Sequence, residues 1–283
     1  MPLSQLLNPN LAIITAFIIL SCNNTSDYEL VSNDGVYIEE FESFGDHNRY
    51  NENNTIFRVG CTFSYRYEYI SSDGQSYQFK VTCDDNDGRL NDWKFNDSLT
   101  ADSLTIQTVT LEVWDGNPMK EPDYDQTVIC YILWPDTLLG SPVEASFTGV
   151  IENEKNIWMH PPRSFLFGIL EINPFPFIQK PYEIGNKWTW ELSIGDQWAD
   201  ERWKEWKGAI TNEMKYEITA KKIVESPLGD LECFVIQSSA KSKIGVTFLT
   251  SYFHPEYGFV QMNYVNIDGS MLNLYLFDHN CIK

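Results

Sequence analysis

The sequence predicts a mainly β protein: antiparallel meander sheets, the C-terminal one packed on a short apolar helix within a proline-rich segment. Three observations carry this expectation. Apolar and polar residues alternate at period two, as where Trp188, Trp190, Leu192 and Ile194 interleave with Thr189, Glu191 and Ser193, and where Met214, Tyr216 and Ile218 interleave with Lys215, Glu217 and Thr219. Such alternation is the pattern of strands with one buried face. Turn pairs then punctuate the chain, among them Asp34-Gly35, Asp73-Gly74, Gly229-Asp230, Tyr257-Gly258 and Asp268-Gly269. No long run with apolar residues at helical spacing competes.

In chain order, residues 1–21 read as a signal peptide and 22–56 as a lipidated N-terminus and tether. An acidic N-terminal β domain spans 57–160, an apolar proline-rich connector 161–181, and the C-terminal sheet domain 182–283. In the first half, strands are expected near 57–70, 76–83, 104–114 and 126–134, separated by acidic loops at 84–97 and 115–125. The second half predicts strands near 187–194, 206–225, 230–240, 245–254, 258–266 and 270–278, with connections short enough to favour a meander. The connector holds Pro161, Pro162, Pro174, Pro176 and Pro181. Its other residues, including Phe165, Phe167, Ile169, Leu170, Phe175 and Phe177, are too apolar to leave in water. Ser164–Ile172 reads as a buried helix capped by Ser164 and ended by Asn173-Pro174.

The chain of 283 residues carries 20 Lys+Arg against 40 Asp+Glu, a formal net charge of −20. That charge repels phosphate backbones and argues against nucleic acid as a partner. It is concentrated in residues 1–150, which hold −16 of it. Apolar residues at 43 % and aromatics at 14 % supply a large core and exclude a disordered chain.

Leu11 to Leu20 is a ten-residue apolar run that precedes Ser21-Cys22 and a polar Asn-rich stretch. Ten helical residues rise about 15 Å, half of a bilayer core, so the run fits a secretory signal and not a transmembrane span. Ile19-Leu20-Ser21-Cys22 resembles the lipobox of bacterial lipoproteins, in which the cysteine after a small residue is lipidated. The resemblance implies lipidation at Cys22, a membrane partner through that anchor, and a place in the envelope of a Gram-negative bacterium. The outer membrane is the expected site, its periplasmic and outer faces both left open. The n-region departs from the pattern in having no Lys or Arg between Met1 and Asn10.

Five further cysteines remain: Cys61, Cys83, Cys130, Cys233 and Cys281. An exported compartment permits disulfides. Cys61 and Cys83 flank a predicted hairpin, and a four-residue loop at 71–74 would set Cys61 opposite residue 84. A bridge between them therefore needs a register shift or bulge. Cys233, within Leu-Glu-Cys-Phe-Val-Ile, reads as a buried reduced thiol.

Later motifs follow in a fixed order. Gly185-Asn186-Lys187-Trp188-Thr189-Trp190 opens the sheet, Ser226-Pro227-Leu228-Gly229-Asp230 turns into a strand, and Tyr252-Phe253-His254-Pro255-Glu256-Tyr257-Gly258-Phe259-Val260 makes a second turn. Over roughly residues 180–278 this order resembles the TapB-like group of bacterial envelope domains. The resemblance implies a curved antiparallel sheet around a hydrophobic interior, like the half-barrel of lipoprotein carriers. It brings no catalytic residue.

Catalytic and metal motifs are weak, and the expectation is a non-enzymatic protein with no cofactor and no metal site. His47, His160, His254 and His279 show no metal-ligand spacing. The acidic loops containing Asp84, Asp85, Asp87 and Asp92, or Asp115, Asn117, Glu121, Asp123 and Asp125, read as solvated more readily than as calcium sites. Ser238-Ser239-Ala240-Lys241 matches S-x-x-K at a strand end, without the motifs that accompany it in enzymes. The leading expectation is an envelope lipoprotein acting as a binding or scaffold protein. An apolar face bearing Trp188, Trp190, Met214, Tyr216, Leu272 and Leu274 would meet an acyl chain or other apolar ligand, or simply form a filled core. The alternative is a carbohydrate-binding or carbohydrate-processing surface lipoprotein using Trp198, Trp203 and Trp206. In a helical reading, Trp198, Arg202 and Trp206 share a face. A third class, the subunit of an envelope complex, predicts a protein partner and neither ligand. Labelling cells with a fatty-acid analogue tests the anchor: the wild-type chain takes up label and Cys22→Ala does not.

Overall fold

The computed structural model describes residues 28–41, 50, 52–83, 90–96, 102–118, 120, 124–135 and 141–281. Cys22, the lipobox and His47 lie outside them, as do Asp84, Asp85, Asp87, Glu121 and Asp123. The described chain is mainly β, as the alternation and turn signals predict. A hairpin comes first, β1 (Tyr28–Asn33) and β2 (Val36–Phe41). Then come β3 (Cys61–Ile70), β4 (Ser76–Cys83), β5 (Leu90–Asn96), β6 (Thr108–Val113), β7 (Thr127–Trp134), β8 (Glu144–Glu152), β9 (Asn156–Met159) and β10 (Phe177–Gln179). The second half contributes β11 (Lys187–Ile194), β12 (Ile210–Ser226), β13 (Gly229–Ser242), β14 (Gly245–His254), β15 (Gly258–Val265) and β16 (Met271–Cys281).

From β11 to β16 the strands pair with their sequence neighbours, the meander expected from short connections. The sheet does not stop there. β16 pairs with β3 over ten residue pairs, from Met271 opposite Ile70 to Cys281 opposite Cys61. It then runs on through β6, β7, β8 and β9 to β10, so residues 57–160 and 182–283 share one antiparallel sheet and one core. β4 and β5 branch from it, because β4 keeps only two pairs with β3 before turning to β5. Several elements differ from expectation. β5 occupies part of the region expected as an acidic loop, and β8, β9 and β10 were not signalled by alternation. In β9 every residue is buried, so no polar face marks it. β12 begins at Ile210 and not at 206.

Inside the curve lies Phe165–Ile172, a 3-10 helix, not an α-helix. Seven of its eight residues are buried, which suits an element that is apolar all round. Ser164 occupies the N-cap, but its hydroxyl caps nothing. The C-terminal end is satisfied instead. Asn173 Nδ2 donates to Ile169 O at 3.0 Å, and Asn212 Nδ2 and Thr247 Oγ1 each donate to Ile172 O at 3.0 Å. β12 and β14 thus complete the hydrogen bonding of the element they enclose.

The ends of the long sheet, β10 and β11, meet at a seam, and the β1–β2 hairpin sits on it. Gln179 Nε2 donates to Gly35 O at 2.7 Å, and Asn156 accepts from Tyr37 N at 2.7 Å. Gly35, at φ +108°, approaches β11 so closely that a Cβ there would lie 2.2 Å from Thr189 O. Only glycine fits.

Cys61 is bonded to Cys281, not to Cys83. The β3–β16 register sets the two directly opposite, whereas Ile70 pairs with Ser76 and β4 soon leaves β3. Another tie is the Glu152 carboxylate, 6 % exposed. It accepts from Thr55 N (2.8 Å), Thr55 Oγ1 (2.6 Å), Ile56 N (3.0 Å) and Phe57 N (2.9 Å). One side chain on β8 thereby holds the segment leading into β3 in a nest of amides. Glu152→Ala strands these donors and is expected to cost about 3 kcal/mol in urea unfolding. Glu152→Gln, which keeps one acceptor oxygen, is expected to cost roughly half as much by the same reasoning.

Candidate functional site

The structure separates the sequence-nominated tryptophans into two groups. Trp188, Trp190 and Tyr216 point into the curved sheet and are buried. Trp188 stacks on Tyr216 with centroids 5.5 Å apart and planes 3° from parallel, and Phe177 packs edge-on against both. Trp190 meets Phe175 at 5.2 Å and Trp158 at 5.4 Å. Met214, Leu272 and Leu274 are buried in the same cluster. The connector's own phenylalanines thus occupy the interior that this face encloses. On the sheet's other face, a concavity of about 620 Å³ is bordered by Lys187, Thr189, Lys215, Glu217 and the half-exposed Phe248.

Trp198, Trp203 and Trp206 lie elsewhere, in the excursion between β11 and β12. A helix that would put Trp198, Arg202 and Trp206 on one face does not form there. Asp196–Trp198 form a single 3-10 turn, followed by a tight turn in which Asp200 and Lys204 pair. Trp198 and Trp206 rest half-buried against the small cluster of Ile172, Ile194 and Ile210. Trp203 packs against both this cluster and the main core, and its Nε1 donates to Trp198 O at 3.1 Å.

Arg202 organises the local geometry. Its guanidinium donates from Nε to Asp200 Oδ1 (2.8 Å), from Nη2 to Asp200 Oδ2 (2.5 Å), and from Nη1 to Asp92 Oδ1 (2.9 Å) and Trp93 O (3.1 Å). This bidentate grip holds the Asp200 carboxyl below its ordinary range, with burial opposing. The same guanidinium lies 4.3 Å from the Trp93 ring centre, and Trp93 and Trp203 lie nearly parallel, 14° apart, at 6.3 Å. Sequence reasoning missed Trp93 and named Asp92 only as part of an acidic loop read as solvated, because both sit on β5 within that segment.

Asp92, Trp93, Trp198, Asp200, Arg202 and Trp203 line one wall of a groove of about 360 Å³, while Trp206 lies outside it; Glu144, Arg163, Phe165 and Gly168 line the other. Gly168 faces the Trp203 ring across the groove, where a Cβ would make an ordinary contact at 3.6 Å. Phe165 adopts φ +58°, a left-handed conformation that costs a bulky residue about 1–2 kcal/mol. Strain of that kind concentrates at binding and catalytic sites. Aromatic faces, a fixed cation and carboxylates around a small open groove suit the recognition of a polar ring with apolar faces.

Near the groove, His160 and Glu171 form a buried pair, Nε2 to Oε1 at 3.4 Å. His160 Nδ1 lies 2.7 Å from Pro161 O, so that nitrogen carries the proton. Burial pulls the imidazole down to about 3, although the Pro161 carbonyl favours its charged form. Burial pushes the Glu171 carboxyl up to about 7, opposed by Arg163. Both groups are therefore uncharged in weakly acidic solution, and the contact is not an ion pair. Cys130 and Cys233 are buried, unpaired thiols, pushed up to about 11 and about 12 chiefly by burial. Neither is a ready nucleophile.

A pH dependence follows from the His160–Glu171 pair. Glu171 holds a proton in the fold that the unfolded chain surrenders above 4.5, so its contribution is lost as pH rises from 4.5 to about 7. His160 stays neutral in the fold while the unfolded chain protonates below 6.5, so its penalty fades as pH rises from about 3 to 6.5. Between 4.5 and 6.5 the two offset each other. In Glu171→Gln only the histidine effect remains. Urea midpoints across this window should climb for the variant and stay level for the wild type, the difference in stability changing by about 1.4 kcal/mol per pH unit.

No protein-family model matches the chain, and no curated protein matches it significantly. Among solved structures, it is similar to an inferred exported protein with a YmcC-like fold from Bacteroides fragilis, at 9 % identity and a TM-score of 0.42, covering 79 % of this chain and 96 % of that one. It is also similar to an inferred lipoprotein from Parabacteroides distasonis, at 10 % identity and a TM-score of 0.43, covering 81 % and 100 %. At this level of similarity no residue role transfers between the chains.

Proposed function

We propose that this chain is a non-enzymatic envelope lipoprotein, anchored through Cys22, that binds a saccharide in the groove between β5, the 3-10 helix and the β11–β12 excursion. The anchor rests on the lipobox-like Ile19-Leu20-Ser21-Cys22, and the binding role rests on the groove. One observation carries the choice of ligand: Trp93, Trp198 and Trp203 line the groove together with Arg202, Asp200 and Glu144. The half-buried Trp198 and Trp203 offer indole surface to the apolar C–H face of a sugar ring, the buried Trp93 backs Arg202 from beneath, and the charged groups accept from and donate to the sugar hydroxyls. The interior, by contrast, is packed with Phe167, Phe175 and Phe177, each fully buried. That packing favours the groove over an acyl chain held within the sheet. The kinship with TapB-like envelope domains belongs to the same proposal. It rests on Gly-x-Lys-Trp opening β11 and on the glycine turns at Gly229 and Gly258, both at positive φ.

A glycan array followed by titration calorimetry tests the reading, using the full chain carrying Cys22→Ala. Retention of an oligosaccharide is expected, with affinity falling about tenfold in Trp198→Ala, equivalent to one lost stacking contact of about 1.4 kcal/mol. Arg202→Gln should weaken it further by loosening Trp93 and Asp200 together. A folded chain that retains no glycan, or one whose retention survives both substitutions, overturns the assignment. In that event a discrete apolar mass carried through native mass spectrometry would redirect it to the interior.

A further inference from the structure

The end of the β3–β16 ladder carries a cluster that the groove does not use. Along β16, Leu272, Leu274 and Leu276 face inward at period two. Continued unbroken, that alternation would turn Asp278 and Asn280 toward the core. A β-bulge between Leu276 and Asp278 resets the parity, so that His279 falls opposite Phe63 and Cys281 opposite Cys61. Arg66 covers the bulged Phe277, its guanidinium carbon 4.9 Å from the ring centre. The outcome is a Cys-His-Cys constellation whose donor atoms all lie within 4.8 Å of one another. His279 Nε2 stands 3.3 Å from Cys281 Sγ. The imidazole is held between Phe63 at 4.6 Å and Tyr257 at 5.3 Å, so its orientation is set by packing.

We propose that the Cys61–Cys281 bridge is a reducible gate on a metal site, and that once it opens, the two thiolates and the His279 imidazole bind a borderline-soft divalent cation such as Zn²⁺. Opening is thiol–disulfide exchange with a dithiol. The reductant delivers two electrons and two protons to the S–S bond, leaving Cys61 and Cys281 as thiols, and becomes a disulfide itself. Metal binding then releases the two thiol protons to solvent, and no other bond changes. With Zn–S of about 2.3 Å and Zn–N of about 2.0 Å, a tetrahedral ion needs its donors roughly 3.5–3.8 Å apart. Side-chain rotation at the two opposed cysteines supplies that spacing. Two sulfurs and one nitrogen select zinc over calcium or magnesium, and three protein ligands leave a fourth position open. In the bridged state neither sulfur is a thiolate, and the site takes no metal.

Cobalt(II) is the probe, added to the full chain carrying Cys22→Ala, oxidised or reduced with a phosphine, while circular dichroism follows the fold. The reduced chain is expected to take one equivalent with a thiolate-to-cobalt charge-transfer band, and the oxidised chain none. Cys61→Ser should abolish the band, and His279→Ala should weaken binding by at least about tenfold. If reduction loosens the sheet, recovery of the β signal on adding Zn²⁺ supports the site equally well. The proposal is overturned if the reduced chain neither binds cobalt nor regains structure with zinc. It is equally overturned if Cys61→Ser and His279→Ala bind as well as the parent, since the metal then sits on other thiols.

Discussion

Pairing between β3 and β16 is the constraint on which the rest of the molecule depends. It joins residues 61–70 to 271–281 and turns two runs of strands into a single curved sheet. Without it, the C-terminal meander would end in an open edge at β16, and the first half would have no face to complete. The bridge at its end closes a loop with a sequence separation of 220, which in the chain-entropy model is worth about 5 kcal/mol. Contacts this distant in sequence must wait for most of the chain to be present, and folds dominated by them form slowly. The Glu152 nest works alongside the ladder by fixing the segment that delivers β3 to its place.

The enclosed 3-10 helix translates that global constraint into a local surface. Its last carbonyl, that of Ile172, is held by Asn212 and Thr247, so its position is dictated by β12 and β14. Its opposite end, from Phe165 to Gly168, forms a wall of the groove. The other wall is secured by Arg202, which ties the β11–β12 excursion to Asp92 and Trp93 on a strand more than a hundred residues earlier. Neither wall is a free loop. The groove is therefore an outcome of the whole sheet, and its shape is set before any ligand arrives.

Much of this was legible in the sequence where local pattern and tertiary role agree. Strands β11 and β14, and the first half of β12, alternate cleanly because one face of each is buried, and Gly229, Gly258 and Gly269 mark turns where the backbone adopts positive φ. The apolar connector announced its own burial. Elsewhere the local signal failed for identifiable reasons. In β9 all four residues are buried, so period two vanishes. The bulge near Phe277 inverts the parity of β16, which hides His279 and Cys281 from any reading by alternation. Trp198, Trp203 and Trp206 were recognisable as a cluster. Their partners Trp93 and Asp92 were not, because the link is one guanidinium reaching across the fold. A period of 3.6 suggested a shared helical face that the short turn at Asp196–Trp198 does not provide.

The hairpin on the seam also sets an orientation. Tyr28, the first residue of β1, follows Cys22 by six positions, and six residues of fully extended chain reach about 20 Å. A lipid on Cys22 would hold the start of β1 within that distance of the bilayer, and the turn at Gly35, which meets the seam, stands the length of the hairpin further on. Gly35 O and Tyr37 N bond to Gln179 on β10 and Asn156 on β9, and Gly35 lies against Thr189 on β11, so the hairpin is fastened to the body of the protein on both sides of that seam.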